Sequence, residues 1–148
     1  MKRQKKMKIV FIIGKYFSKD GDYDEIEKNI RLAEEYAIEL WNLGFGVFTP
    51  HLNTCHFEMK TEVPEKIYQV FDLMVAERLC DCAFAIPNWR DSNGGKREIK
   101  FFQKLGKPVF EDIESIRNWR AGKKTYRTVD IKSAQKRKKA RVVWEEEE

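Results

Sequence analysis

Ser92-x-Gly94-x-x-x-Glu98 is the part of this chain whose residue types and spacing could do chemistry. It leads from a loop into a helical pattern, so the backbone N–H groups around Asn93–Lys96 should point at whatever sits over the loop. Ser92 adds a hydroxyl donor, and Gly94, with Gly95 beside it, lets the backbone approach a ligand closely. A Glu in the first helical turn is kept ionised by the helix dipole, which would make Glu98 a competent nucleophile or base. The same spacing also suits a plain glycine loop with a favourable first-turn Glu, and spacing alone leaves both readings open. A second carboxylate, Asp72, lies beside an apolar helical stripe, with Tyr68 one turn earlier on the same face.

These groups need a frame. Ile9–Ile13 is a continuous β-rich apolar run ending at Gly14, as expected of a strand covered on both faces. Ile26, Ile30, Ala33, Ala37 and Trp41 follow at helical spacing, with Asp24 and Glu27 as a capping box and Gly44 as the stop. Phe45–Thr49 reads as a second strand. A polar connection then leads to Pro64 as the first residue of a helix whose apolar positions are Ile67, Val70, Phe71, Met74, Val75 and Leu79. Cys82–Ile86 reads as a third buried strand, and Ile99, Phe102 and Leu105 mark a helix stopped at Gly106. Val109-Phe110 begins a fourth strand, and Tyr126–Ile131 offers a further one. The order βαβαβαβ predicts an α/β, flavodoxin- or Rossmann-like three-layer sandwich with a parallel sheet of four to five strands. Ligands in such sheets bind beyond the carboxyl ends of the strands. That rule brings together Gly14 and Tyr16 of the first loop, His51 and Asn53 of the second, and Trp89, Ser92, Gly94 and Gly95 of the third.

Composition narrows the function classes. The 148 residues are enough for one ordinary domain. No apolar run reaches the roughly 20 residues of a membrane span, and the start lacks a signal-peptide core, so a cytoplasmic protein without membrane contact is expected. The net charge of +5 suggests nucleic acid until it is located. Residues 1–8 hold five Lys/Arg, and residues 132–148 hold six Lys/Arg against four Glu, which leaves residues 9–131 at −2. The expected organisation is therefore a basic end (1–8), a single domain (9–131) and a charged tail (132–148). Its ends would give only weak, salt-sensitive contact with nucleic acid. Within the tail, Val142-Val143-Trp144 either docks on the body or a neighbouring subunit or lies in a solvated end.

Cys55, Cys80 and Cys82 are too few and oddly numbered for a disulfide framework. His51, Cys55 and His56 lack a convincing second ligand pair, so they read as buried thiols and loop histidines, with no metal and no cofactor expected. The G-x-G-x-x-G and P-loop phosphate motifs and the G-x-S-x-G elbow are absent.

The run Ile9–Tyr16, then Pro50–Thr54, Asp72, and Ile86-Pro87-Asn88-Trp89-x-x-Ser92-x-Gly94-x-x-x-Glu98 resembles the nucleoside 2-deoxyribosyltransferase-like superfamily. The likeness is closest to a small, mostly uncharacterised bacterial and phage branch, related to the deoxynucleoside 5′-monophosphate N-glycosidases. It spans roughly residues 8–112. The resemblance implies that Glu98 attacks the anomeric carbon, that Asp72 holds the sugar or assists leaving-group protonation, and that Tyr16 orients the nucleophile. It also implies that Ser92 and Gly94 meet a 5′-phosphate, and that the protein works as a homodimer or higher homo-oligomer on a small nucleotide or nucleoside without a cofactor. Two other readings stand beside it: a non-catalytic nucleotide-binding or sensing module, and a polyanion-associated protein using its basic ends.

Overall fold

The computed structural model describes residues 6–131. Residues 1–5 of the basic end and the whole tail, Val142–Trp144 included, lie outside the described residues. The elements are β1 (Ile9–Ile13), α1 (Tyr23–Asn42), β2 (Gly46–Phe48), α2 (Pro50–Asn53), a 3-10 turn (Phe57–Met59), α3 (Glu65–Arg78), β3 (Cys82–Ala85), a second 3-10 turn (Pro87–Asp91), α4 (Asn93–Lys104), β4 (Val109–Phe110) and α5 (Ile113–Arg120). All pairings are parallel, and the strand order is β2-β1-β3-β4. The expected α/β sandwich is present, with four strands. Tyr126–Ile131 forms no fifth strand, although Val129 N–H donates to the Val109 carbonyl at 2.8 Å along the β4 edge.

The alternation of side chains along a strand explains why both faces need cover. Phe11 and Ile13 of β1 pack with Ala83 and Ala85 against Ala76 of α3 and Ile99 and Phe102 of α4. Val10 and Ile12 face the other way, onto Ala33, Ala37 and Leu40 of α1 and Ile116 of α5. The stripe of α1 ends on Leu40 rather than Trp41, which is exposed. Three residues after Ala37, rather than four, returns the helix to its buried face. α1 also starts earlier than the capping box suggests: the Asp22 carboxylate accepts the Asp24 N–H at 2.9 Å, so Asp22 is the N-cap. The expected polar connection after β2 contains α2 and the first 3-10 turn, and Pro64 stands as the cap before α3 rather than inside it. Cys82 lies on an interior strand, and burial pushes its thiol and that of Cys80 well above their ordinary values.

α3 departs most from expectation. Ala76 is fully buried, whereas Ile67, Val70, Phe71, Met74 and Leu79 are exposed. Only a narrow strip of this helix reaches the sheet, so most of its apolar stripe is left uncovered.

At the end of β1 the backbone of Gly14 passes against Ile86. A Cβ there would lie 2.4 Å from Ile86 Cγ1 and 3.0 Å from Asn88 Oδ1. Gly14→Ala is therefore expected to cost about 1–3 kcal/mol through overpacking against buried Ile86 and half-buried Asn88, measured by urea or thermal unfolding.

Candidate functional site

Strand order reverses between β1 and β3, and the loops leaving their carboxyl ends diverge there. A cleft of about 590 Å³ opens at this place, a volume typical of small-molecule sites. Gly14, Tyr16, His51, Ser92, Gly94, Gly95, Asp72 and Glu98 all line it. Two expected residues do not. Trp89 is fully buried in the core beneath α4, and its indole N–H donates to Glu111 at 3.1 Å. Asn53 turns to a separate groove between α1 and β2, with Trp41 and Phe48. Its place in α2 fixes that direction, which a loop reading could not foresee.

The first loop is held by a chain of amides. Lys15 N–H donates to Asn88 Oδ1 at 2.9 Å, Asn88 donates to Asn29 Oδ1 at 3.4 Å, and Asn29 donates to the Tyr16 carbonyl at 3.0 Å. Asn29 is a polar residue on the buried face of α1, and this network accounts for it. The Tyr16 hydroxyl donates to Glu58, at 2.9 Å from Oε2, and accepts the His56 N–H at 2.9 Å. It is thus committed to Glu58, not to Glu98 as the resemblance implies. Burial is the main reason its phenol is pushed above the ordinary tyrosine range. His51 is 4% exposed, and burial lowers its pKa to about 4, so the ring is neutral. Nε2 lies 3.1 Å from the Lys15 carbonyl, which requires the proton on Nε2 and leaves Nδ1 as a buried acceptor without a partner.

α4 begins at Asn93 with Ser92 as its N-cap. The Ser92 Oγ accepts the Gly95 N–H at 2.9 Å, and the Ser92 carbonyl accepts the Lys96 N–H at 3.0 Å. Of the expected N–H groups, those of Asn93 and Gly94 stay without an intrahelical acceptor. The Ser92 hydroxyl hydrogen is also left to donate. Arg97, which lines the cleft, brings a guanidinium nitrogen to 3.8 Å from where a Gly94 Cβ would stand.

Glu98 is in the second turn of α4, not the first, and the dipole does not keep it ionised. Desolvation raises its pKa to about 8, helped by the negative charge of Asp72 and opposed by Arg97. Desolvation alone raises Asp72 to about 7. Both residues are half-buried. They come from α3 and α4, which pack side by side, and they share the cleft as an interacting pair whose protons come off in two steps. Glu58 and Arg97 also line this cleft, and Gln69 and Val63 join them from α3 and the segment before it. No motif marks them, because they arrive from segments with no shared spacing.

Residues 8–114 match a family described as a domain of unknown function, DUF1937, and the chain belongs to that family. The crystal structure of a conserved protein from Enterococcus faecalis V583 is similar at 16% identity and a TM-score of 0.47, covering 74% of this chain and 67% of that one. No curated protein matches the chain.

Folding raises both carboxyl pKa values from ordinary values of 3.8 and 4.5, so the folded protein keeps protons that the unfolded chain releases. Their contribution to stability is therefore present below pH about 4 and lost as pH rises through about 8. Glu98→Gln and Asp72→Asn are expected to raise the unfolding temperature, and by more at about pH 9 than at about pH 5. Differential scanning fluorimetry across that range checks it.

Proposed function

We propose that this DUF1937 protein cleaves the N-glycosidic bond of a nucleoside 5′-monophosphate or nucleoside, or transfers its deoxyribosyl group, with Glu98 as the nucleophile. The observation that carries the reading is the pair of desolvated carboxylates, Glu98 and Asp72, placed by separate helices in one cleft. The resemblance to deoxyribosyltransferase-like proteins in the same residues supports it. In this reading ionised Glu98 bonds to the anomeric carbon as the carbon–nitrogen bond breaks. Asp72 gives its proton to the departing base, and water or a second base then displaces the glycosyl group from Glu98. The reaction calls for one proton on the pair, held by Asp72. Since Glu98 is the weaker acid of the two, the reactive form is the minor singly protonated one, in which the proton sits on Asp72.

The start of α4 supplies the phosphate contacts of the proposal. Two unengaged N–H groups, the Ser92 hydroxyl hydrogen and the Arg97 guanidinium are all donors, and a phosphate accepts from each of them with charge assistance. A second reading, nucleotide binding without turnover, is favoured by one observation: the Tyr16 hydroxyl is turned to Glu58, which leaves Glu98 without that tyrosine as an orienting partner. A homo-oligomer belongs to the proposal as well, since the uncovered stripe of α3 is apolar and a second copy would cover it.

Incubation with nucleosides and 5′-monophosphates, followed by chromatography of free base, tests the function. Base release is expected from monophosphates first, with a bell-shaped rate profile centred between pH about 7 and about 8, the two carboxyl values. Glu98→Gln should abolish it while the protein stays folded. Binding without release by the wild type would leave the sensing module instead. For the assembly, Phe71→Glu is expected to reduce the mass seen by light scattering, and a wild-type monomer would refute the oligomer.

A further inference from the structure

Away from the carboxylate pair, α1 and the segment between α2 and the first 3-10 turn bring three different metal-binding side chains together. One ligand atom each from Glu27, Cys55 and His56 lies within 4.8 Å of the others. Consecutive side chains of an extended chain point to opposite sides, yet Cys55 and His56 converge here. The backbone at His56 is left-handed, with φ 61, the one positive φ of a non-glycine residue among the described residues. Its ring is 6% exposed and stacked on Tyr23, with centroids 4.5 Å apart. Nε2 faces Glu27 Oε1 at 2.5 Å, while buried Nδ1 has no hydrogen-bond partner and lies 3.8 Å from Glu58 Oε1.

We propose that Glu27, Cys55 and His56 form a site for a divalent transition ion of zinc type, tying α1 to the wall of the cleft. The donor set is one thiolate, one imidazole and one carboxylate, which suits a borderline-soft ion and not calcium or magnesium. Coordination through Nε2 moves the ring proton to Nδ1, and Glu58, 3.8 Å away, accepts it by closing the remaining gap. A carboxylate behind a ligating imidazole is the usual support of such sites. The Cys55 thiol releases its proton to solvent on binding. Glu27 and His56 part by roughly 1 Å to the spacing that zinc bonds of about 2.0–2.3 Å impose at a tetrahedral centre. Three protein ligands leave the fourth position for water. The ion also acts on the cleft at one remove, because Glu58 and the His56 N–H are the two partners of Tyr16.

Sequence spacing could not show this site, since Glu27 stands 28 residues before Cys55 and His51, the nearer histidine, turns to the Lys15 carbonyl. The test is made on the full-length protein. After stripping with chelator, reloading with zinc and dialysis, elemental analysis should find one ion per chain and a raised unfolding temperature. Cobalt titration should give a thiolate-to-metal charge-transfer band in the near ultraviolet and the visible bands of a tetrahedral ion. Cys55→Ser should remove the charge-transfer band, and Glu27→Gln should weaken binding at least ~10-fold. Both replacements conserve size and shape. Absence of retained zinc in the wild-type protein overturns the proposal. So does a charge-transfer band that survives in Cys55→Ser, which would place the ion on Cys80 or Cys82, or a Glu27→Gln variant that binds as the wild type does. None of these readouts depends on base release, so failure here leaves the glycosidic reading untouched.

Discussion

The parallel pairing of β1 with β3, from Val10 on Cys82 to Ile13 on Ala85, is the constraint on which the rest depends. From β1 the chain goes through α1 to β2 on one side of the sheet, and later returns to place β3 on the other. The loops after β1 and β3 therefore leave in opposite directions, and the gap between them is the cleft. The pairing is tight at that end: Ile86 N–H donates to the Ile13 carbonyl at 2.9 Å, and Gly14 gives Ile86 its room. Asn88 then reaches back to the Lys15 N–H, so the two loops are fastened to each other before any ligand is considered. A slip of one residue in this register would exchange the two cores, since Phe11 and Ile13 serve one face and Val10 and Ile12 the other.

The two carboxylates are a consequence of the same arrangement. α3 and α4 lie on one face of the sheet and bring Asp72 and Glu98, both half-buried, into one cleft. Neither finds a cation close enough to offset the loss of hydration, and Arg97 offsets it only in part for Glu98. Folding therefore creates acids that hold protons near neutrality, at a cost in stability that the ordinary surface of a helix would not impose.

Elements with a strong local pattern were legible in the sequence. Ile9–Ile13, most of Cys82–Ile86 and the Gly44 and Gly106 stops are set by neighbouring residues alone, and the βαβ order with the strand-end rule brought Gly14, Ser92 and Gly94 together. What could not be read depended on contacts across the fold. Trp89 looked like a loop residue, and its burial comes from the core under α4. Tyr16 found Glu58 from a segment with no motif. The stripe of α3 has helical spacing, but spacing does not reveal whether the sheet or another molecule covers it. Glu98 shows the limit most clearly. It was expected in the first turn and ionised by the dipole, but it lies a turn further on and its protonation is governed by desolvation and by Asp72, two things no local pattern encodes.

The Ser92 cap carries one more consequence. Its oxygen already receives the Gly95 N–H, which leaves the hydroxyl hydrogen able to turn outward beside the Asn93 and Gly94 amides. A phosphate monoester loses its last proton near pH 6, so under the proposed function such a ligand would meet these donors as a dianion above that pH and as a weaker-accepting monoanion below it. A single capping bond thus sets which donors the helix start can turn outward, beside carboxyl groups that are still protonated in the same range.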